Sequence, residues 1–258
     1  VVTQKKALDT TDIAALPLRE QGLDRLTGMM IELFHGEYDL NSALIGIGPY
    51  TNRDFYLVSP ISAVELPDGR VIMVTNGTPT NAARADLVSH STEGVLNVYI
   101  MRFEQGRWKV VARHEDIASM GADGHIGEVR WVTVGPNLPG FIVSSGGTEQ
   151  GVRTTQATIF ALDNGVRELG GFPQSFSFSG ECPQEAGGDC ENVDSSIEFV
   201  TGSKQQAYGD VIVHFWSSVR QVIEGKTVEV STPSESARYQ FDGETYRLIE
   251  GSNPVSGA

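Results

Sequence analysis

Leu96-Asn-Val-Tyr-Ile-Met-Arg-Phe-Glu-Gln-Gly-Arg-Trp-Lys-Val-Val111 is the stretch whose reading decides the fold. Apolar and aromatic residues stand two apart on either side of Gln105-Gly106, and residues two apart share one face of a strand. The glycine supplies the positive φ that a tight reversal needs. The segment therefore predicts an antiparallel hairpin. The same signal recurs at Leu66-Pro-Asp-Gly-Arg70, Leu162-Asp-Asn-Gly165 and Phe241-Asp-Gly-Glu244, each between apolar runs rich in Val, Ile, Phe and Tyr.

Working outward, the hairpins fall into groups. One runs from about 55 to 114. A second, from about 125 to 172, places Val129–Val134 and Gly140–Val143 ahead of its turn at Asn164-Gly165. A third, from about 194 to 251, places Ile197–Val200 and Val211–Trp216 ahead of Asp242-Gly243. The fold class is mainly β: antiparallel hairpin repeats in about three four-stranded units, propeller-like or stacked as sheets. No WD or kelch signature accompanies them. Before Phe55, one helix is expected. Leu23, Leu26, Met30 and Leu33 recur at three- and four-residue spacing, with Met29 and Phe34 widening the stripe and Gly36 ending it. Residues 1–54 are thus read as an arm, an amphipathic helix and a loop over 37–54 packed on a β domain of residues 55–258.

The 258 residues include 33 acidic and 19 basic side chains, a formal charge of −14, with 40% hydrophobic and 20% charged residues. That composition supports a buried core and argues against disorder. The longest apolar run, Val211–Trp216, is interrupted by His214 and is far too short to span a bilayer. An acidic chain with scattered Lys and Arg is repelled by phosphate backbones, so no nucleic-acid partner is expected. A protein partner, basic or neutral in character, suits it better.

Cys182 and Cys190 bracket Pro-Gln-Glu-Ala-Gly-Gly-Asp, a polar glycine-rich segment. Free thiols are usually buried, so a pair at the two ends of a hydrophilic loop is read as a disulfide. Their spacing matches neither zinc nor redox motifs. A disulfide implies an oxidising compartment, so a periplasmic or secreted location is expected, while the start Val1-Val2-Thr3 suits a mature exported chain and a trimmed one equally. Glu185 and Asp189 make the loop acidic and a candidate contact for a basic partner.

Motifs for the common enzymes are missing. No Gly-x-Ser-x-Gly occurs, the nearest fragments being Ser144-Ser-Gly-Gly147 and Ser177-Phe-Ser-Gly180, and neither a P-loop nor His-Glu-x-x-His is present. The richest polar cluster is Arg113-His114-Glu115-Asp116 together with Asp123 and His125, read as a connection between strand groups that carries a binding site; its plain alternative is a solvated loop with an Asp123-Gly124 turn. His90, flanked by Ser89 and Ser91, is a further candidate contact. His214, between Val213 and Phe215, is read as a core histidine and His35 as a cation at the helix end. Asn76-Gly-Thr78 matches a glycosylation pattern but is read as a strand-end turn. No catalytic residue, metal ligand or cofactor is assigned, with calcium or another divalent cation kept as the alternative. The expectation is an extracytoplasmic non-enzymatic binder, an inhibitor of a protein partner. The rivals are a hydrolase using the His114–His125 loop, with or without a divalent cation, and a ligand- or carbohydrate-binding module.

Overall fold

A computed structural model of the chain describes residues 22–35, 38–39, 42–47, 54–178, 190–200, 206–223, 226–231 and 235–257. The described chain is mainly β, with antiparallel sheets and one short helix. It divides into two compact units. The first reaches Trp131 and takes in 164–166, and the second comprises 132–163 and the residues from 167 onward.

The first unit holds α1 (Gly22–Phe34) and a six-stranded meander: β1 (Tyr38–Asp39), β2 (Ser42–Ile47), β3 (Asp54–Glu65), β4 (Arg70–Thr80), β5 (Gly94–Glu104) and β6 (Arg107–Met120), each paired with the next. The turns follow the glycines. Gln105 and Gly106 both adopt positive φ, 53° and 81°, as a two-residue hairpin loop requires. Gly69 at 78° closes the β3–β4 hairpin, where the Asp68 carboxylate accepts the Arg70 backbone N–H at 3.0 Å.

Four helix side chains are buried and Leu26 is partly so. Met29, Met30, Leu33 and Phe34 pack with Val58, Ala63, Val71, Met73, Tyr99, Met101 and Trp108, and the Phe34 and Tyr99 rings meet edge to face at 5.7 Å. Each large apolar side chain so buried contributes about 1.5–3 kcal/mol. The helix stops at His35, whose φ of 44° is left-handed and whose N–H donates to Ile31 O at 2.9 Å. Arg113 donates to Leu33 O, one of the carbonyls that a helix end leaves without a partner. On the opposite face of the strands Val64, Ile72, Val74, Leu96, Val98 and Ile100 are buried too, which is why β4 and β5 read as nearly unbroken apolar runs.

The second unit is built on a nine-stranded antiparallel sheet containing β7 (Glu128–Gly135), β8 (Leu138–Glu149), β9 (Val152–Ala161), β10 (Arg167–Phe178), β11 (Cys190–Val200), β12 (Asp210–Ile223), β13 (Lys226–Ser231), β14 (Glu235–Phe241) and β15 (Tyr246–Gly251). Strand β12 pairs with β11 along one edge. Its other edge is shared, by β14 at Val211–Phe215 and by β13 at Ser218–Ile223. Phe172 stacks on Tyr239 with centroids 4.5 Å apart in a core that also holds Ile159, Phe199, Val213 and Phe215. Asp210 is buried and gives its carboxylate to Arg238 and to Gln240 Nε2, the latter at 3.2 Å.

Four expectations change. The hairpin groups at 125–172 and 194–251 lie in one sheet, because β10 pairs with β11 at Phe176 and Val193. The stretch 37–54 is not all loop: Ser42-Ala-Leu-Ile-Gly-Ile47, masked in sequence by the polar residues around it, is β2 and pairs with β3 through Ala43–Val58. His114, Glu115 and Asp116 belong to β6 itself, since the partner β5 is long enough to carry pairing on to Gly94–Met120. His214 is exposed, because β12 alternates Val211, Val213 and Phe215 inward with His214 and Trp216 outward. Its Nε2 lies 3.7 Å from Glu198.

Candidate functional site

The polar cluster picked out by sequence is divided by the pleat of β6. Arg113 and Glu115 share a face, 3.6 Å apart, where Glu115 accepts the Tyr99 hydroxyl at 3.1 Å and Arg113 lies 5.9 Å from the Phe34 ring centroid. His114, between them in sequence, lies opposite Val98 in the β5–β6 register. At Asp116 the strand bulges: φ is 54°, and its N–H is taken by the side-chain oxygen of buried Asn97 at 2.9 Å.

After β6 the chain turns tightly. Asp123 and Gly124 adopt φ of 53° and 73°, and the backbones of Ala122 and His125 bond to each other in both directions. Buried Asn76 locks the turn. Its amide nitrogen donates to Gly124 O and to Thr78 Oγ1, both at 2.9 Å, and its oxygen accepts the Ile126 N–H at 2.9 Å. Asn76 therefore sits inside β4 and not at a strand end, and its amide is a structural clamp. This turn brings Asp123 to His90, with Nδ1 2.8 Å from Oδ1, side chains 61% and 99% exposed respectively. The hydroxyls beside His90 bond to one another: Ser89 Oγ lies 2.9 Å from Thr92 Oγ1 and 3.3 Å from Ser91 Oγ. His125 is exposed at the turn. Among the described residues no three His, Cys, Asp or Glu side chains group as metal ligands. Cys182, Glu185 and Asp189 lie outside the described residues, as does the Cys190 side chain, and with them the disulfide and acidic-loop expectations.

A concave surface exists elsewhere on the same unit. Strand β3 opens with Asp54-Phe55-Tyr56 and β4 closes with Pro79-Thr80, and the register sets Tyr56 opposite Pro79 and Phe55 opposite Thr80. With Asn81 and Ala82 these residues line an open depression of about 450 Å³, within the range of ligand sites. Its rim is fixed. Asn81 Oδ1 accepts the N–H groups of Ala83 and Ala85 at 2.9 and 3.1 Å, and Thr80 Oγ1 donates to Ala85 O at 2.7 Å. Tyr56 is half-buried and packs against the helix-covered core beside Tyr38 and Ile45. Burial, and then the negative charges of Asp54 and Asp116, push its phenol above its ordinary value. The hydroxyl therefore stays neutral and able to donate at physiological pH.

Asp54 and Asp116 form no hydrogen bond or ion pair through their carboxylates among the described residues. On one face of the β3–β4 hairpin the depression thus combines the Tyr56 ring, Pro79 and the negative charge of Asp54. Unneutralised carboxylates beside aromatic faces attract cations. The pocket hydroxyls are poorly placed as nucleophiles, since Thr80 donates to a backbone carbonyl and the Tyr56 proton is held more firmly than usual. Sequence reasoning missed this site, although counting outward from Asp68-Gly69 pairs Tyr56 with Pro79 to within a residue. No family model, curated protein or solved structure is similar enough to the chain to be matched with it.

Proposed function

We propose that the chain is an extracytoplasmic, non-enzymatic binding protein, periplasmic or secreted, that holds and blocks a basic protein partner. One observation carries this reading: the open depression at Asp54–Tyr56 and Pro79–Ala82, aromatic and bordered by the Asp54 carboxylate, which has no ion-pair partner among the described residues, in a chain of formal charge −14. Antiparallel hairpins hold such a surface rigidly, so little ordering entropy opposes binding. In this reading the antiparallel hairpins of the two sheets serve as the recognition scaffold, with α1 bracing the first. The loop stapled by Cys182 and Cys190, with Glu185 and Asp189, adds a second acidic contact. Like charge sets nucleic acid aside as a partner.

The test is capture from the native host's extract and secreted fraction by the immobilised chain. A basic protein retained at an ionic strength of about 0.05 M and released near about 0.5 M, where the Debye length shrinks to a few ångströms, supports the reading. Retention only of salt-insensitive or acidic proteins, or turnover of a substrate by the purified chain, overturns it.

A further inference from the structure

We propose that the depression between Asp54–Tyr56 and Pro79–Ala82 receives the guanidinium of an arginine side chain presented by the partner, with Asp54 accepting its paired N–H donors and the Tyr56 ring, on the same face of β3, stacking on its plane. The inference rests on the binding function proposed above and specifies its contact chemistry.

Shape comes first. The depression is open and rimmed by a fixed loop, the form that admits a side chain projecting from another protein's surface. Charge points the same way. The Asp54 and Asp116 carboxylates have no ion-pair partner among the described residues, and Arg84, in the loop that follows the pocket, has an interaction of its own. A cation entering here meets unspent negative charge. The half-buried Tyr56 ring, two residues from Asp54 and so on its face of the strand, offers π surface to a cation lying on it. Arginine fits this combination better than lysine, because its planar fork both stacks on a ring and matches a carboxylate with two parallel hydrogen bonds.

The intact chain, isotopically labelled, is titrated with three blocked tripeptides, Gly-Xaa-Gly, in which Xaa is arginine, lysine or citrulline. Citrulline keeps the shape of arginine and removes its charge. The arginine peptide shifts the amide resonances of Asp54, Phe55, Tyr56, Thr80 and Asn81, and citrulline binds at least about tenfold more weakly. Asp54→Asn, at an exposed position, weakens the arginine peptide about tenfold. Tyr56→Leu weakens it several-fold while Tyr56→Phe, which keeps the ring and the packing, stays within about twofold. Citrulline binding as tightly as arginine, shifts confined to other parts of the chain, indifference to Asp54→Asn, or a neutral oligosaccharide displacing the peptide from the pocket would each overturn the assignment. The two proposals fail separately. A captured partner held equally by the Asp54→Asn chain removes the pocket assignment and leaves the binding function, whereas an arginine peptide seated in the pocket with no partner captured does the reverse.

Discussion

Replacing Asn76 by alanine removes the clamp that fixes the turn after β6. The side chain makes three hydrogen bonds, to Gly124 O, to Thr78 Oγ1 and from the Ile126 N–H, all at 2.9 Å and inside a buried neighbourhood. Truncation leaves the Ile126 N–H without a partner, a desolvation cost of about 1–3 kcal/mol, while Gly124 O keeps Thr78 Oγ1 at 3.1 Å. Water cannot easily enter. A Cβ on Gly94 would stand only 2.4 Å from Asn76 Oδ1, so the site is closely packed. With the void left by the amide, the expected loss is about 2–4 kcal/mol. Urea denaturation followed by tryptophan emission measures it, since Trp108 and Trp131 are buried in this unit.

The variant Asn76→Asp sharpens the argument. Its carboxylate still accepts from Ile126 but turns a second oxygen toward Gly124 O, so burial and repulsion raise its folded pKa above the unfolded value. Protonation restores the donor. The variant's deficit against the native chain should therefore be greatest well above that raised pKa and should shrink as the pH falls from about 7 toward about 4.5. An Asn76→Ala change within about 0.5 kcal/mol of the native chain, or an Asn76→Asp deficit that grows on acidification, would refute the reasoning.

Arg238→Ala strands the carboxylate of Asp210, which is 1% exposed, and should cost about 3–5 kcal/mol in urea denaturation followed by near-ultraviolet dichroism; Asp210→Asn should cost less, because it removes the buried charge and the Arg238 it leaves is 28% exposed and lies 3.7 Å from Glu250. Asp242 is held near a pKa of about 2 by the backbone N–H groups of Thr245 and Glu244 and by Arg247. Its folded pKa is depressed, so its contribution is present above the ordinary carboxylate range and is lost as the pH falls toward 2; thermal melts should show Asp242→Asn below the native chain at neutral pH and level with it at the acid end. His90→Ala should change stability by less than about 0.5 kcal/mol, since the His90–Asp123 pair is solvent-exposed, and a larger drop in the melt would assign the pair a structural role.

The parts of the fold legible in the sequence are those where a local steric demand leaves one residue type. Gly69, Gly106 and Gly243 each sit at positive φ in hairpin turns, and each was readable from its Asp-Gly or Gln-Gly pair. Gln150-Gly151 serves the same purpose between β8 and β9, with φ of 49° and 82°, but its flanks, Gly146-Gly-Thr-Glu149 and Arg153-Thr-Thr-Gln156, lack the apolar alternation that marks a hairpin. His214 was misread for a related reason. Trp216 and Ile212 make β12 look apolar on both faces, yet Trp216 is 46% exposed, and composition alone does not say which face meets a core.

The site was less legible because its parts are distant in the chain. The pocket joins residue 56 to residue 79 through register, and the His90–Asp123 contact joins residues 33 apart through a turn that Asn76 holds from a third strand. Asn76 itself carried a misleading local signal. Its match to a glycosylation pattern says nothing of burial, and burial is what makes it a clamp.

The association rate of the chain with its captured, purified partner, measured against ionic strength, tests the central claim most directly. Electrostatic capture by an acidic surface predicts a rate constant that falls about tenfold or more between about 0.05 and 0.5 M salt, with the steepness reduced in Asp54→Asn. A rate constant that stays flat across that range would contradict it.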